Sequence, residues 1–140
     1  KFFSAGDVAV SNNDEFLAYS IDDKGSEYFT IFVRRISDNK IIEEPIPDTA
    51  GGITWSYDDQ YFFYSKLDKF HRPRQIFRHK IGTNIKEDIL IFEEKDATYT
   101  CSISLHTVLM SVYCMHPAYM LHAYCMYNAC MLYAYYMYVL

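Results

Sequence analysis

Apolar positions in the first hundred residues fall in short runs separated by polar turns, and helical spacing is absent. Glu15-Phe-Leu-Ala-Tyr-Ser20 and Gln60-Tyr-Phe-Phe-Tyr-Ser65 are rich in aromatic and aliphatic residues, which suit a pleated, half-buried surface. Each follows a polar turn, Ser11-Asn-Asn-Asp14 or Ser56-Tyr-Asp-Asp59, whose side chains can hydrogen-bond the nearby backbone. A second pair of runs follows, Glu27-Tyr-Phe-Thr-Ile-Phe-Val33 and Arg74-Gln-Ile-Phe-Arg-His79. Turns at Ser37-Asp-Asn-Lys40 and Gly82-Thr-Asn84 then lead to short closing runs, Lys40-Ile-Ile-Glu43 and Asp88-Ile-Leu-Ile-Phe92. The pattern predicts strands throughout.

These runs form an internal repeat. Val8-Ala-Val10-Ser11 returns as Ile53-Thr-Trp55-Ser56, and the same shift pairs Asp14 with Asp59, Phe16 with Tyr61, Leu17 with Phe62, Tyr19 with Tyr64 and Ser20 with Ser65. It continues through Ile31-Phe32 with Ile76-Phe77 and Ile36 with Ile81, and a third copy opens at Cys101-Ser-Ile103-Ser104. Four short antiparallel strands at this period form a propeller blade. The expected fold is an all-β partial β-propeller: one blade over 1–49, a second over 50–97, and the first strand of a third over 98–105. A single meander sheet with accidental similarity is the alternative; the turn residues, repeating in register with the apolar ones, favour blades. Blades bury each other's faces, so two blades and a strand leave apolar surface uncovered. The chain is expected to be a poor independent folder.

Composition divides the chain in two. All thirteen Lys and Arg and all eighteen Asp and Glu precede Ala97, and the net charge of −5 offers no basic face to nucleic acid or an anionic membrane. The charged part has no Cys, which fits a reducing cytoplasm. No secretory signal is seen, and opening on Lys1 rather than Met suits part of a longer protein. The tail, 106–140, is uncharged and holds all six Met, at 110, 115, 120, 126, 131 and 137, a spacing of neither helix nor strand. It reads as a low-complexity tail from a shifted or spurious reading frame. A membrane span competes weakly, because eight Tyr, His116, His122, Pro117 and Asn128 fill hydrocarbon poorly. A zinc site from Cys114, His116, His122, Cys125 and Cys130 has suitable atoms but lacks paired ligand spacing.

His71-Arg-Pro-Arg-Gln-Ile-Phe-Arg-His-Lys-Ile-Gly-Thr83 resembles the propeller of the oligopeptidase B (protease II) group of the prolyl oligopeptidase family. Glu87-Asp-Ile-Leu-Ile-Phe-Glu-Glu-Lys-Asp96, Pro47-Asp-Thr-Ala-Gly-Gly-Ile-Thr-Trp55 and Ala18-Tyr-Ser-Ile-Asp-Asp-Lys-Gly-Ser-Glu27 are similar to the same group, and the likeness covers residues 1 to about 105. The resemblance implies a cytoplasmic serine peptidase that cuts short peptides after Lys or Arg. In that family a seven-bladed propeller over an α/β-hydrolase domain screens substrates. It further implies that the partners are the remaining blades, the hydrolase domain and short peptides. A non-catalytic propeller used as a protein-binding scaffold is the competing reading.

The residues carry no catalytic, cofactor or metal assignment. None of Gly6, Gly25, Gly51, Gly52 and Gly82 flanks a serine in a Gly-x-Ser-x-Gly elbow, and Gly51-Gly52 lacks the spacing and Lys of a phosphate loop. That pair is expected to turn the chain into the next inner strand. Lys69, His71, Arg72, Arg74, Arg78, His79 and Lys80 could form a basic strip for an acidic partner, but a solvated blade edge is favoured. Glu93-Glu-Lys-Asp96 reads as a surface turn rather than a metal loop, and Trp55 as core rather than a substrate platform.

Overall fold

The computed structural model describes residues 2–106, 109–116, 119–126 and 129–136, with side-chain surroundings for 2–104. Apart from one short 3-10 turn, the described residues form strands and loops. The strands are β1 (Ser4–Val10), β2 (Phe16–Asp22), β3 (Phe29–Arg35), β4 (Ile46–Trp55), β5 (Tyr61–Leu67), β6 (Pro73–Lys80), β7 (Ile89–Glu93), β8 (Thr100–His106), β9 (Leu109–His116), β10 (Tyr119–Met126) and β11 (Ala129–Tyr136). The first seven pair in chain order as one antiparallel sheet, and the last four form a second.

Long β4 divides the first sheet into two units. Its early residues pair with β3 (Ile31 opposite Ile46, Phe29 opposite Thr49), and its late residues pair with β5 (Ile53 opposite Tyr64, Trp55 opposite Phe62). The switch falls at Gly51, which has φ +90°, a conformation a side chain resists. A Cβ there would also stand 3.0 Å from the Phe29 ring. The glycine therefore turns the chain between units, as its sequence position suggests. One predicted run behaves differently. Lys40–Glu43 contributes a short bridge to the end of β3, Arg34 to Ile41, and Ile46–Thr49 pairs with the beginning of β3.

The two units repeat in hydrogen bonds as well as letters. Ser11 N–H donates to the Phe16 carbonyl at 2.9 Å, as Ser56 N–H does to Tyr61 at 2.8 Å. The Phe16 and Tyr61 amides donate back to the Ser11 and Ser56 hydroxyls at 2.9 and 3.0 Å. Those hydroxyls in turn donate to Asn13 and Asp58, both at 2.7 Å. Asp14 and Asp59, one residue further on, have φ of 57° and 56°. Both serines are buried, so each hydroxyl satisfies a turn that water does not reach. Ser11→Ala and Ser56→Ala are therefore each expected to cost about 1–2 kcal/mol, read as faster amide exchange in the turn concerned. A cost at one serine alone would break the equivalence.

The core lies between the units. Ala18, Ile31, Val33 and Ile46 of the first pack against Ile53, Trp55, Phe62 and Tyr64 of the second. On the opposite face of the second unit, Ile76 packs against Cys101 of β8, with Phe92, Tyr99 and Ile103 around them. The second unit is thus covered on both faces.

The third unit is fuller than the repeat alone indicates, since β9, β10 and β11 follow β8. In the pairing of β9 with β10, Met120 lies opposite Met115 and Cys125 opposite Met110. The side chains of the zinc candidates Cys114, His116, His122, Cys125 and Cys130 lie outside those described. No helix among the described residues is long and apolar enough to cross a membrane.

Candidate functional site

The basic strip weighed as an alternative on β6 and the loop before it does not exist as a strip. Alternation sends its residues to different faces. Arg72 pairs with Asp68 at 2.8 Å, Arg74 donates to the Glu94 carbonyl, and Arg78 lies over the Tyr61 ring at 4.6 Å. His71 packs on Tyr28, while Lys69 and Lys80 are exposed. His79 is fully buried. A solvated edge describes the first members of the set and fails for His79, because the first unit covers that face of β6.

Around His79 the fold assembles a closed polar cluster. His79 Nδ1 lies 2.7 Å from Asp88 Oδ1, and the Tyr64 hydroxyl donates to Asp88 Oδ2 at 2.7 Å. Glu43, from the first unit, brings Oε2 to 3.6 Å from His79 Nε2, too long for a hydrogen bond but close for a charge. Its other oxygen accepts from the Gly82 N–H at 2.7 Å, so Glu43 ties the two units together. Burial pushes the His79 pKa down, but the bond to Asp88 and the nearby Glu43 and Asp88 charges outweigh it and hold the pKa at about 9. Burial and the hydrogen-bonded Asp88 carboxylate push the Tyr64 phenol well above its ordinary range.

This arrangement does not resemble a nucleophilic site. A serine triad needs a hydroxyl on the imidazole nitrogen opposite the acid. Here Nε2 faces a second carboxylate, and the ring has no exposed edge. Sequence reasoning missed Glu43, Tyr64 and Asp88 because they meet only across the fold. Glu93 to Asp96 lies mostly at the surface, and no metal-holding group of His, Cys, Asp or Glu occurs among the described residues.

The seam between the units is the other built feature. Asp59, buried in the β4–β5 turn, accepts from the Asn12 amide and side chain, each at 2.7 Å, and from the Asn13 amide at 2.8 Å. Trp55 Nε1 donates to the Ala9 carbonyl at 3.0 Å, and the Ile53 amide to Asp7 Oδ2 at 3.0 Å. Trp55 is core, as its place in the repeat suggests. At the other end of the strands, the Tyr28 hydroxyl donates to the Asp68 carbonyl at 2.9 Å.

Repeated four-stranded units joined face to face are the geometry of adjacent propeller blades. The family described as prolyl oligopeptidase, N-terminal beta-propeller domain, matches residues 1–115. The chain belongs to that family. Protease 2 of Moraxella lacunata is 34% identical over 90 residues, covering 63% of this chain and 13% of that protein. Oligopeptidase B from Leishmania major superposes with a TM-score of 0.88 at 25% identity, over 95% of this chain and 20% of the other. Oligopeptidase B from Trypanosoma brucei, solved in a closed form with covalently bound antipain, gives a TM-score of 0.83 at 21% identity over 95% of this chain and 19% of the other. The propeller segment therefore spans between about an eighth and a fifth of the length of these relatives. Its family match runs ten residues past the point where the motifs in the sequence cease to be recognisable.

Proposed function

We propose that this segment forms consecutive blades, over 1–49, 50–97 and onward from 98, of the substrate-screening propeller of a serine oligopeptidase. Its substrates would be short peptides cut after Lys or Arg, and its site of action the cytoplasm. The observation that carries this reading is the likeness to Protease 2 over 90 residues, in a chain whose seam is built as a blade seam. The partners of the segment are then the other blades and a hydrolase domain bearing the serine nucleophile. The segment itself supplies no nucleophile: it lacks a Gly-x-Ser-x-Gly elbow, and its buried imidazole is enclosed by carboxylates.

The 140-residue chain is expected to leave an Arg-containing peptide ester intact, while the longer polypeptide carrying it hydrolyses that ester. Turnover by the short chain, abolished by a serine-directed inhibitor, would refute the division of labour. The non-catalytic scaffold reading is decided by the downstream sequence. A Gly-x-Ser-x-Gly segment supports the peptidase, and further blades followed by a stop support the scaffold. The charge-free tail, 106–140, is read as a shifted or spurious frame, although the family match extends to residue 115. Sequencing the parent locus tests it, because an uninterrupted frame through equivalent tails would exclude a shift.

A further inference from the structure

The charged cluster around His79 draws its groups from both units. Asp88 and Tyr64 belong with His79 to the second, and Glu43 comes from the end of the Lys40–Glu43 run of the first. The two sides of the imidazole are built differently. Nδ1 lies 2.7 Å from Asp88 Oδ1, a short charge-assisted contact. Nε2 is buried 3.6 Å from Glu43 Oε2 and has no hydrogen-bond partner among the described residues. A carboxylate only accepts, so one proton stays on Nδ1 in the bond to Asp88, and the neutral ring is the Nδ1–H tautomer. The proton that comes and goes is therefore the one on Nε2, on the side of the first unit.

That proton decides what Glu43 meets. With it, the carboxylate faces an N–H and a positive charge. Without it, the carboxylate faces a nitrogen lone pair across the same 3.6 Å, two buried acceptors with no proton between them. Glu43 is then held by the Gly82 N–H, at 2.7 Å. The other charges of the surrounding segments do not replace the lost proton. Glu44 of the first unit and Lys80, Lys86 and Glu87 of the second are exposed, and Arg35 of β3 pairs with Asp38 at the surface. The Phe62 ring, 4.9 Å from the imidazole, brings no charge.

We propose that Glu43 and His79 form a proton-operated latch between the two units. The Nε2 proton holds Glu43 against the second unit, and its loss frees Glu43 and the Gly82 turn from one another, while Asp88 keeps its bonds to His79 and Tyr64. The Ile42 amide donates to the Val33 carbonyl at 3.0 Å, so the freed run stays tied to β3 and the seam parts at this corner without either sheet unravelling. Because the His79 pKa is raised from 6.5 to about 9, the latch is fully closed below about pH 6.5 and opens as pH rises through about 9. It belongs to one seam and is independent of the reaction of the longer polypeptide.

Two measurements on the longer polypeptide test it. Imidazole nitrogen chemical shifts, assigned to His79 by their absence in His79→Leu, should show Nε2 losing its proton between about pH 7 and 9.5 while Nδ1 keeps its own. Over the same interval exchange of the Gly82 amide, corrected for intrinsic base catalysis, should rise about tenfold or more. The β6 amides should follow by a smaller factor, and the Ile42 amide by less than about twofold. In Glu43→Gln the new side-chain amide can donate to the unprotonated Nε2 while its oxygen still accepts from Gly82, so the contact survives and the rise at Gly82 should stay below about twofold. Loss of the proton from Nδ1 in place of Nε2 would overturn the latch. So would an equal rise at Gly82 in Glu43→Gln and the native protein. A rise at Gly82 matched throughout β5 would overturn it as well, since the second unit would then be melting as a whole, and no rise at all would leave Glu43 uncoupled from the proton.

Discussion

Asp88→Ala is expected to destabilise the second unit by about 3–5 kcal/mol, because it strips the close partner from a buried charge. Asp88 holds both the His79 imidazolium and the Tyr64 hydroxyl, each at 2.7 Å. Without it His79 keeps only Glu43 at 3.6 Å, and the Tyr64 hydroxyl loses its acceptor. Local opening of β5 and β6, measured by amide exchange in the longer polypeptide, reads this cost directly. A change below about 1 kcal/mol, the scale of a surface substitution, would show that the cluster contributes little.

The same cluster has a pH signature. The pKa of His79 is raised from 6.5 to about 9 in the folded state. Protonation therefore favours folding: its contribution is complete below about pH 6.5 and is lost as pH rises through about 9. The linkage corresponds to roughly 3 kcal/mol. The other ionisable groups facing His79 are Glu43 and Asp88, with Tyr64 bound to Asp88. The Tyr64 phenol is pushed well above its ordinary value. Exchange of the β6 amides should therefore accelerate between pH 7 and 9.5, after correction for intrinsic base catalysis. In His79→Leu that pH dependence should disappear, and its persistence would assign the effect elsewhere.

Trp55→Ala is the second large effect, again about 3–5 kcal/mol, from loss of a buried aromatic. The ring stacks with Phe16 at 6.2 Å and meets the Phe62 edge at 5.5 Å, and its N–H bonds the Ala9 carbonyl across the seam. Removing it should open β1 and β2 together with β4 and β5, whereas a defect confined to one unit would affect only that unit's strands. Trp55→Phe keeps most of the packing and loses the hydrogen bond, so a cost of about 1–2 kcal/mol is expected. Joint exchange of β1 and β4 amides is the check. Unchanged β1 protection in Trp55→Ala would mean that the units are held by other contacts. Trp55 is the sole tryptophan of the chain, so its emission also reports the seam when the segment is studied alone.

The strands and turns were legible because their signals are local. Alternation and aromatic runs mark β2, β3, β5 and β6, and Ser11 and Ser56 close turns within five residues of themselves. The break at Gly51 was legible for the same reason. Lys40–Glu43 was legible only in part: it bridges the end of β3 at Arg34, while the long strand that pairs with the beginning of β3 starts at Ile46.

What the chain determines alone is the repeat: which residues form each unit, where each unit turns, and which positions correspond. Tertiary structure decided what corresponding positions do. His79 and Arg34 occupy equivalent places, yet His79 is sealed between two carboxylates while Arg34 reaches Asn39 and the Tyr19 hydroxyl. Asp59 and Asp14 share a backbone conformation, yet only Asp59 receives the neighbouring turn's amides. The reason is physical: burial and charge pairing depend on which sheet lies against a face, and a period written along one strand carries no information about its neighbour across the seam.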